Sequence, residues 1–233
     1  MTDSVKTPAT GAENIVWDLS VLYASIDDPA IDADMQKADA MADDFSATYK
    51  GEVASLDAAS MVKALKAAEA IFDKLGRLGS FASLVYSTDT ADPQNGALQQ
   101  KITEFYAKVN QKLVFFDLEW NDLADDAASV LLDDAALADY RHYLEAERRY
   151  RPYQLDEARE QLLMEKSVTG RSAWVRFFGQ LTSAMRYDYD GEELTQSQVL
   201  TKMYDTDRAV RQKAAVAMPA GLREKTMELT YIF

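Results

Sequence analysis

The chain has 233 residues, with 39 Asp and Glu against 25 Lys and Arg, and its formal charge of −14 repels phosphate backbones and anionic membranes. It contains no cysteine, which excludes thiol catalysis, disulfides and cysteine-ligated metals; the lack of disulfides suits a cytoplasmic location. Hydrophobic residues make up 48%, with only 9 Gly and 5 Pro, a composition for long helices around a sizeable core. An all-α fold is expected, with neither nucleic acid nor membrane as partner.

Residues 1–14 lack an apolar segment, so they read as a disordered leader rather than a signal peptide or anchor. A short apolar segment around Trp17 follows. Asp28-Pro29 then opens a helix, because proline at the first helical position forfeits no intrahelical bond. Met35, Ala38, Ala42, Phe45 and Tyr49 recur on one face of it, and Gly51 ends it. Asp57 or Ser60 caps a second helix with Met61, Leu65, Ala68, Phe72, Leu75, Gly79, Ala82 and Tyr86 on its apolar side. Asp92-Pro93 repeats the cap and opens a third, with Ile102, Phe105, Val109, Leu113, Phe116 and Trp120. Three long helices with short connections predict an antiparallel up-and-down bundle over residues 15–124.

Residues 125–233 read as a further helical lobe. After the acidic corners Asp125-Asp126 and Asp133-Asp134, a helix is predicted through Leu137, Tyr140, Leu144 and Glu147. Breaks follow at Arg151-Pro152 and at Gly170, the latter suited to a left-handed helix terminus. Trp174, Phe177, Phe178 and Leu181 have the spacing of a core-facing stripe. Near residues 184–194, Met185, Tyr187 and Tyr189 alternate with polar residues ahead of Asp190-Gly191, which predicts one small β-hairpin. Thr195 and Gln198 form a capping box. Asp205 or Thr206 caps a helix through Val210, Ala214 and Ala217, which Pro219 and Gly221 should kink or end. The last residues, Thr230, Tyr231, Ile232 and Phe233, carry no cap and no polar tail, as in a chain cut before its natural end.

No catalytic or metal-binding constellation is legible, and no residue is assigned to substrate binding. His142 is the sole histidine and is expected at the surface or between helices. No nucleophile elbow, phosphate-binding loop or dinucleotide-binding glycine motif occurs. The acidic turns Asp89-Asp92-Asn95-Gly96 and Asp188-Asp190-Gly191 lack the calcium-loop pattern of an EF-hand. Glu157 and Glu160 fall in an early helical turn, where acids favour the helix dipole, and Glu165 has no partner at a catalytic spacing. Arg148, Arg149 and Arg151, interleaved with Tyr143, Tyr150 and Tyr153, are expected to pair with carboxylates and to pack their stems on the tyrosine rings.

One ordered set of residues goes further: Trp17-Asp18-Leu19; residues 76–93; Arg148, Arg149, Pro152, Leu155, Glu157 and Glu160; then Ser167, Thr169, Gly170, Ala173 and Trp174. It resembles the N-terminal half of the oligoendopeptidase F family, zinc endopeptidases related to thimet oligopeptidase. The family pattern often has histidine at the place of Tyr153, and Gln154 and Ala158 also depart from it. The resemblance implies a cytoplasmic parent enzyme that hydrolyses short peptides in a channel between helical lobes, with zinc as cofactor. This chain then supplies the N-terminal lobe and the start of the catalytic lobe, truncated before the zinc motif. Without His-Glu-x-x-His, the 233 residues are expected to bind no zinc and to be inactive alone. Self-association through apolar surface meant for the missing part is a further expectation. The alternative is a free-standing helical module that binds a peptide or protein without catalysis.

Overall fold

The computed structural model describes Gly11, Ile15 and residues 18–233; the remainder of the expected leader and the Trp17 anchor lie outside the described residues. The first three helices are α1 (Pro29–Tyr49), α2 (Ala58–Thr88) and α3 (Pro93–Asp122). Each starts on an aspartate that accepts a backbone amide: Asp28 from Ala30, Asp57 from Ser60 and Asp92 from Gln94. Each such cap contributes about 1 kcal/mol. Gly51, at φ 82°, turns the chain out of α1.

Ion pairs fix the helix directions. Lys101 meets Asp32 at 2.6 Å, Lys108 meets Asp39 at 3.1 Å, and Lys112 meets Asp43 at 2.6 Å. Partners that advance together along both helices require α1 and α3 to run parallel, with α2 returning between them. This is the predicted up-and-down bundle. Its core includes Ala38, Ala42, Phe45, Met61, Leu75, Ala82 and every apolar α3 residue expected to face inward. On α2 the buried stripe also takes in Ala64, Ile71, Leu78 and Phe81, whereas Phe72, expected to face inward, is 43% exposed. A side chain at the edge of a wide helical stripe is buried only if a neighbour reaches over it. Ahead of α1, buried Tyr23 donates its hydroxyl to Asp34, which also takes Lys74 at 2.7 Å.

The same core continues through Ala128, Leu137 and Leu144. The helix predicted across Leu137 to Glu147 is in fact a 3-10 turn, Ala135–Leu137, followed by α5 (Arg141–Arg148); α4 (Asp125–Leu132) precedes them. Asp134 caps the short turn through Ala136 N–H, a local bond that competes with a continuous helix. A second 3-10 turn, Arg151–Tyr153, holds Pro152 ahead of α6 (Glu157–Thr169) and α7 (Arg171–Ala184).

Gly170 separates α6 from α7 without the expected left-handed conformation, at φ −93° and ψ −112°. Its need for glycine is steric, since a Cβ there would lie 2.7 Å from the Lys166 carbonyl oxygen.

The hairpin pairs β1 (Tyr187–Tyr189) with β2 (Glu192–Leu194), Tyr187 opposite Leu194. Asp190 at φ 60° and Gly191 at φ 87° form the two-residue turn. Positive φ at both positions matches the right-handed twist of paired strands. Then come α8 (Gln196–Lys202), α9 (Arg208–Glu224) and α10 (Thr226–Ile232). Thr195 and Gln198 make the complete capping box. The cap of α9 is Asp207, not Asp205 or Thr206; Asp205 instead accepts the Asp207 amide. Pro219 and Gly221 do not end α9, which runs on to Glu224. A second, smaller core joins Met185, Tyr187, Leu194, Val199, Ala214 and Ala217.

Candidate functional site

Arg148 is the centre of the structure around the basic cluster. Its guanidinium donates to the carbonyls of Trp120 (2.8 Å) and Leu123 (2.9 Å) and to the Asp125 carboxylate (2.6 Å). Arg151 reaches the same carboxylate at 3.0 Å. These bonds close the exposed end of α3, whose last carbonyls have no helical partner. The expected pairing with carboxylates is present, but the ring beneath Arg148 is Trp120, at 5.5 Å, rather than a tyrosine. Tyr150 and Tyr153 are 67% and 80% exposed.

Two of the three carboxylates considered for acid–base work are held in structural roles. Glu157 pairs with Lys50 at 2.5 Å, which ties α6 to the end of α1. Glu160 accepts the Leu155 amide at 3.0 Å, ahead of the Asp156 cap. Glu165 is exposed beside Lys166, and His142 is exposed on α5. Among the described residues no group of three or more His, Asp and Glu is placed to hold a metal ion. The donors present do not fit the zinc site that the resemblance implies, which needs imidazoles in pairs.

A residue missed in the sequence is Asp117, the one carboxylate in the apolar run before Glu119 and Trp120. That isolation was the available signal. It borders a cavity of about 250 Å³ lined also by Phe45, Leu65, Phe72, Tyr143 and Met164. Burial, reinforced by the neighbouring charge of Glu147, pushes its pKa up to about 6, against a partly offsetting bond from the Tyr143 hydroxyl at 3.3 Å. The folded value lies above the ordinary 3.8, so the native chain holds this proton where the unfolded chain has lost it. Stability contributed by Asp117 is therefore full below the ordinary value and declines as pH rises through about 6. Asp34, bonded by Lys74, and Asp39, bonded by Lys112, have lowered values and act oppositely, losing stability as pH falls through the acid range. Asp117→Asn should accordingly raise unfolding free energy at pH 8 by roughly 1–2 kcal/mol and leave it nearly unchanged at pH 4. Urea denaturation at the two pH values checks this; equal effects at both would discard the buried-charge account.

The aromatic row of α7 is not core. Trp174, Phe177 and Phe178 are 44%, 39% and 38% exposed, and neither α6 nor α7 has a buried residue. Periodicity puts side chains on one face, but it does not supply an element to cover that face. Trp174 and Phe177 contact each other edge to face at 6.2 Å, and Phe178 meets Phe233 at 5.8 Å. No helix among the described residues is long and apolar enough to cross a membrane.

The sequence pattern of the oligopeptidase F family matches residues 119–187, the segment from the end of α3 through α7 into β1. Oligopeptidase PepF of Bacillus subtilis (strain 168) is 28% identical over 191 residues, 78% of this chain and 28% of that protein. The fold is shared with the crystal structure of oligoendopeptidase-F from Enterococcus faecium, at a TM-score of 0.73 over 88% of this chain and 40% of that one, with 19% identity. The chain is similar to the oligoendopeptidase F family. A further relative is the group B oligopeptidase PepB of Streptococcus agalactiae serotype III (strain NEM316), 28% identical over 152 residues, 62% of this chain and 25% of that protein. The chain thus spans about a quarter of the length of the curated relatives it matches.

Proposed function

We propose that this chain is the N-terminal lobe of a zinc-dependent oligoendopeptidase that hydrolyses short peptides in the cytoplasm. The observation that carries the reading is the family match over residues 119–187, set within a fold like that of oligoendopeptidase-F. Residues 15–124 form one helical wall of the parent enzyme, and residues 125–233 lead the chain into its catalytic lobe. A helical wall beside the site restricts entry to short, unfolded substrates and excludes water from the contacts that position the scissile bond.

In the parent enzyme zinc would polarise the scissile carbonyl and activate water. The residues of this chain do not hold it. The lone His142 is exposed, and the carboxylates Glu157 and Glu160 are committed to a lysine and a helix start. The ligands and the water-activating glutamate belong to sequence outside these residues. The exposed face of α7 supports the same reading, because uncovered Trp174 and Phe178 suit a surface that packs against a further lobe or, without it, against a second copy. It is equally the surface that a non-catalytic binding module would use.

The purified chain is expected to retain less than one zinc per ten molecules by mass spectrometry and to leave a quenched fluorescent peptide uncleaved, since a single histidine cannot form the paired-imidazole site. A protein extended along its own reading frame should cleave it and lose that activity to a chelator. Chelator-sensitive cleavage by the 233 residues alone, or a frame lacking His-Glu-x-x-His, would overturn the proposal.

A further inference from the structure

The segment 167–174, singled out in the sequence, ends in a helix start that has no protein cap. Gly170 has no side chain to cap α7, and α7 opens directly on Arg171 and Ser172. A concavity of about 300 Å³ lies beside it, lined by Tyr86, Gln99, Thr103, Arg171, Ser172 and Arg176 together with two apolar positions. No acid lines it, although the chain has 39 acids and 25 bases.

The cationic groups there lack anionic partners. Neither Arg171 nor Arg176 forms a salt bridge among the described residues, and Arg176 donates to the neutral side-chain oxygen of Gln100. Two of the lining residues, Tyr86 and Gln99, are half-buried, and the Tyr86 hydroxyl and Gln99 Oε1 have no hydrogen-bond partner. A buried polar atom left unpaired costs about 1–3 kcal/mol, so these atoms are suited to a group that enters the cavity. The hydroxyl can donate, and the Gln99 amide, turned over, presents an NH₂ in place of its oxygen. Two guanidinium forks match the two oxygens of a planar carboxylate. The chain's overall charge of −14 penalises a phosphate dianion more than a carboxylate monoanion.

We propose that this cavity binds a carboxylate, and that its source is the C-terminus of a short peptide. The identity of the source rests on the peptidase reading; the carboxylate site does not. The lining assigns Arg171 and Arg176 to the oxygens, with the Tyr86 hydroxyl as a further donor.

The test is a heteronuclear NMR titration of the full chain with N-acetyl-Ala-Ala, with its C-terminal amide and with inorganic phosphate. Saturable shifts are expected at Arg171, Ser172 and Arg176 with the free acid, weaker by about tenfold with the amide. Added salt should weaken the free acid further. Arg176→Gln and, separately, Arg171→Gln should each weaken it about tenfold while leaving the circular dichroism spectrum and Tm unchanged. Equal affinity for acid and amide, or shifts confined to other parts of the chain, would overturn the site. Saturation by phosphate but not by the peptide acid would overturn the assignment of its source. Peptide-acid binding by the chain alongside an inactive extended protein would remove the peptidase reading and leave the carboxylate site standing.

Discussion

Replacing Trp120 with alanine is expected to lower the unfolding free energy by about 4–5 kcal/mol. Trp120 is 1% exposed, and its indole N–H donates to the Leu144 carbonyl at 3.0 Å. Its ring carries Arg148, whose guanidinium in turn binds the Trp120 and Leu123 carbonyls. Alanine removes the apolar area, leaves the Leu144 carbonyl short of one donor and deprives Arg148 of its platform. Phenylalanine keeps much of the area and loses the indole bond, so it should cost about 1–3 kcal/mol. Chemical denaturation followed by far-ultraviolet circular dichroism measures both. A small alanine effect, below about 2 kcal/mol, would mean that α5 does not lock onto α3 through this ring.

Gly221→Val is expected to destabilise the smaller core by about 3 kcal/mol, even though glycine is a poor helix former. A Cβ at this position would lie 2.5 Å from Tyr187 Cδ1 and 2.8 Å from Cε1. Tyr187 is 0% exposed and is flanked by Met185 and Leu194 in the same cluster, so its ring has no free space to swing into. Two effects oppose each other. Removing glycine from a helix interior gains up to about 1 kcal/mol, while forcing a methyl or larger group into a packed ring costs about 1–3 kcal/mol and more for a branched side chain. The clash wins because the ring cannot relax outward. Amide hydrogen exchange should locate the loss in the hairpin and α9 rather than in the three-helix bundle. The double variant Gly221→Val with Tyr187→Leu should recover part of the loss, since the two positions are in contact and their effects are not additive. Exchange unchanged in the hairpin would show that Tyr187 does not pack on α9.

The bundle was legible because its signals are local and agree with one another. Asp28-Pro29 and Asp92-Pro93 determine where α1 and α3 begin, and the α3 stripe from Ile102 to Trp120 is buried as its spacing predicts. The hairpin at Asp190-Gly191 and the Thr195–Gln198 capping box were readable for the same reason, since each depends on residues within four positions. The misses share the opposite property. Trp174, Phe177 and Phe178 have a core pattern but remain uncovered, because burial depends on what lies opposite. The neighbours of Asp117 along α3 do not set its titration. Its raised pKa comes from the cavity wall and from Glu147, brought near by the return of α5 along α3.

What the sequence determined by itself, then, is an acidic, cysteine-free, mainly helical chain, its bundle helices with their caps, the hairpin at Asp190-Gly191 and its likeness to the oligoendopeptidase F family. It also determined that a single histidine cannot provide a paired-imidazole zinc site. The tertiary structure decided that Arg148 stacks on Trp120, that α9 passes through Pro219 to let Gly221 meet Tyr187, and that Arg171 and Arg176 share a cavity with a buried hydroxyl. The physical division is one of range. Caps, turns and periodicity are set by neighbours along the chain, whereas desolvation, close approach and the pairing of charges are set by groups that only the fold brings together.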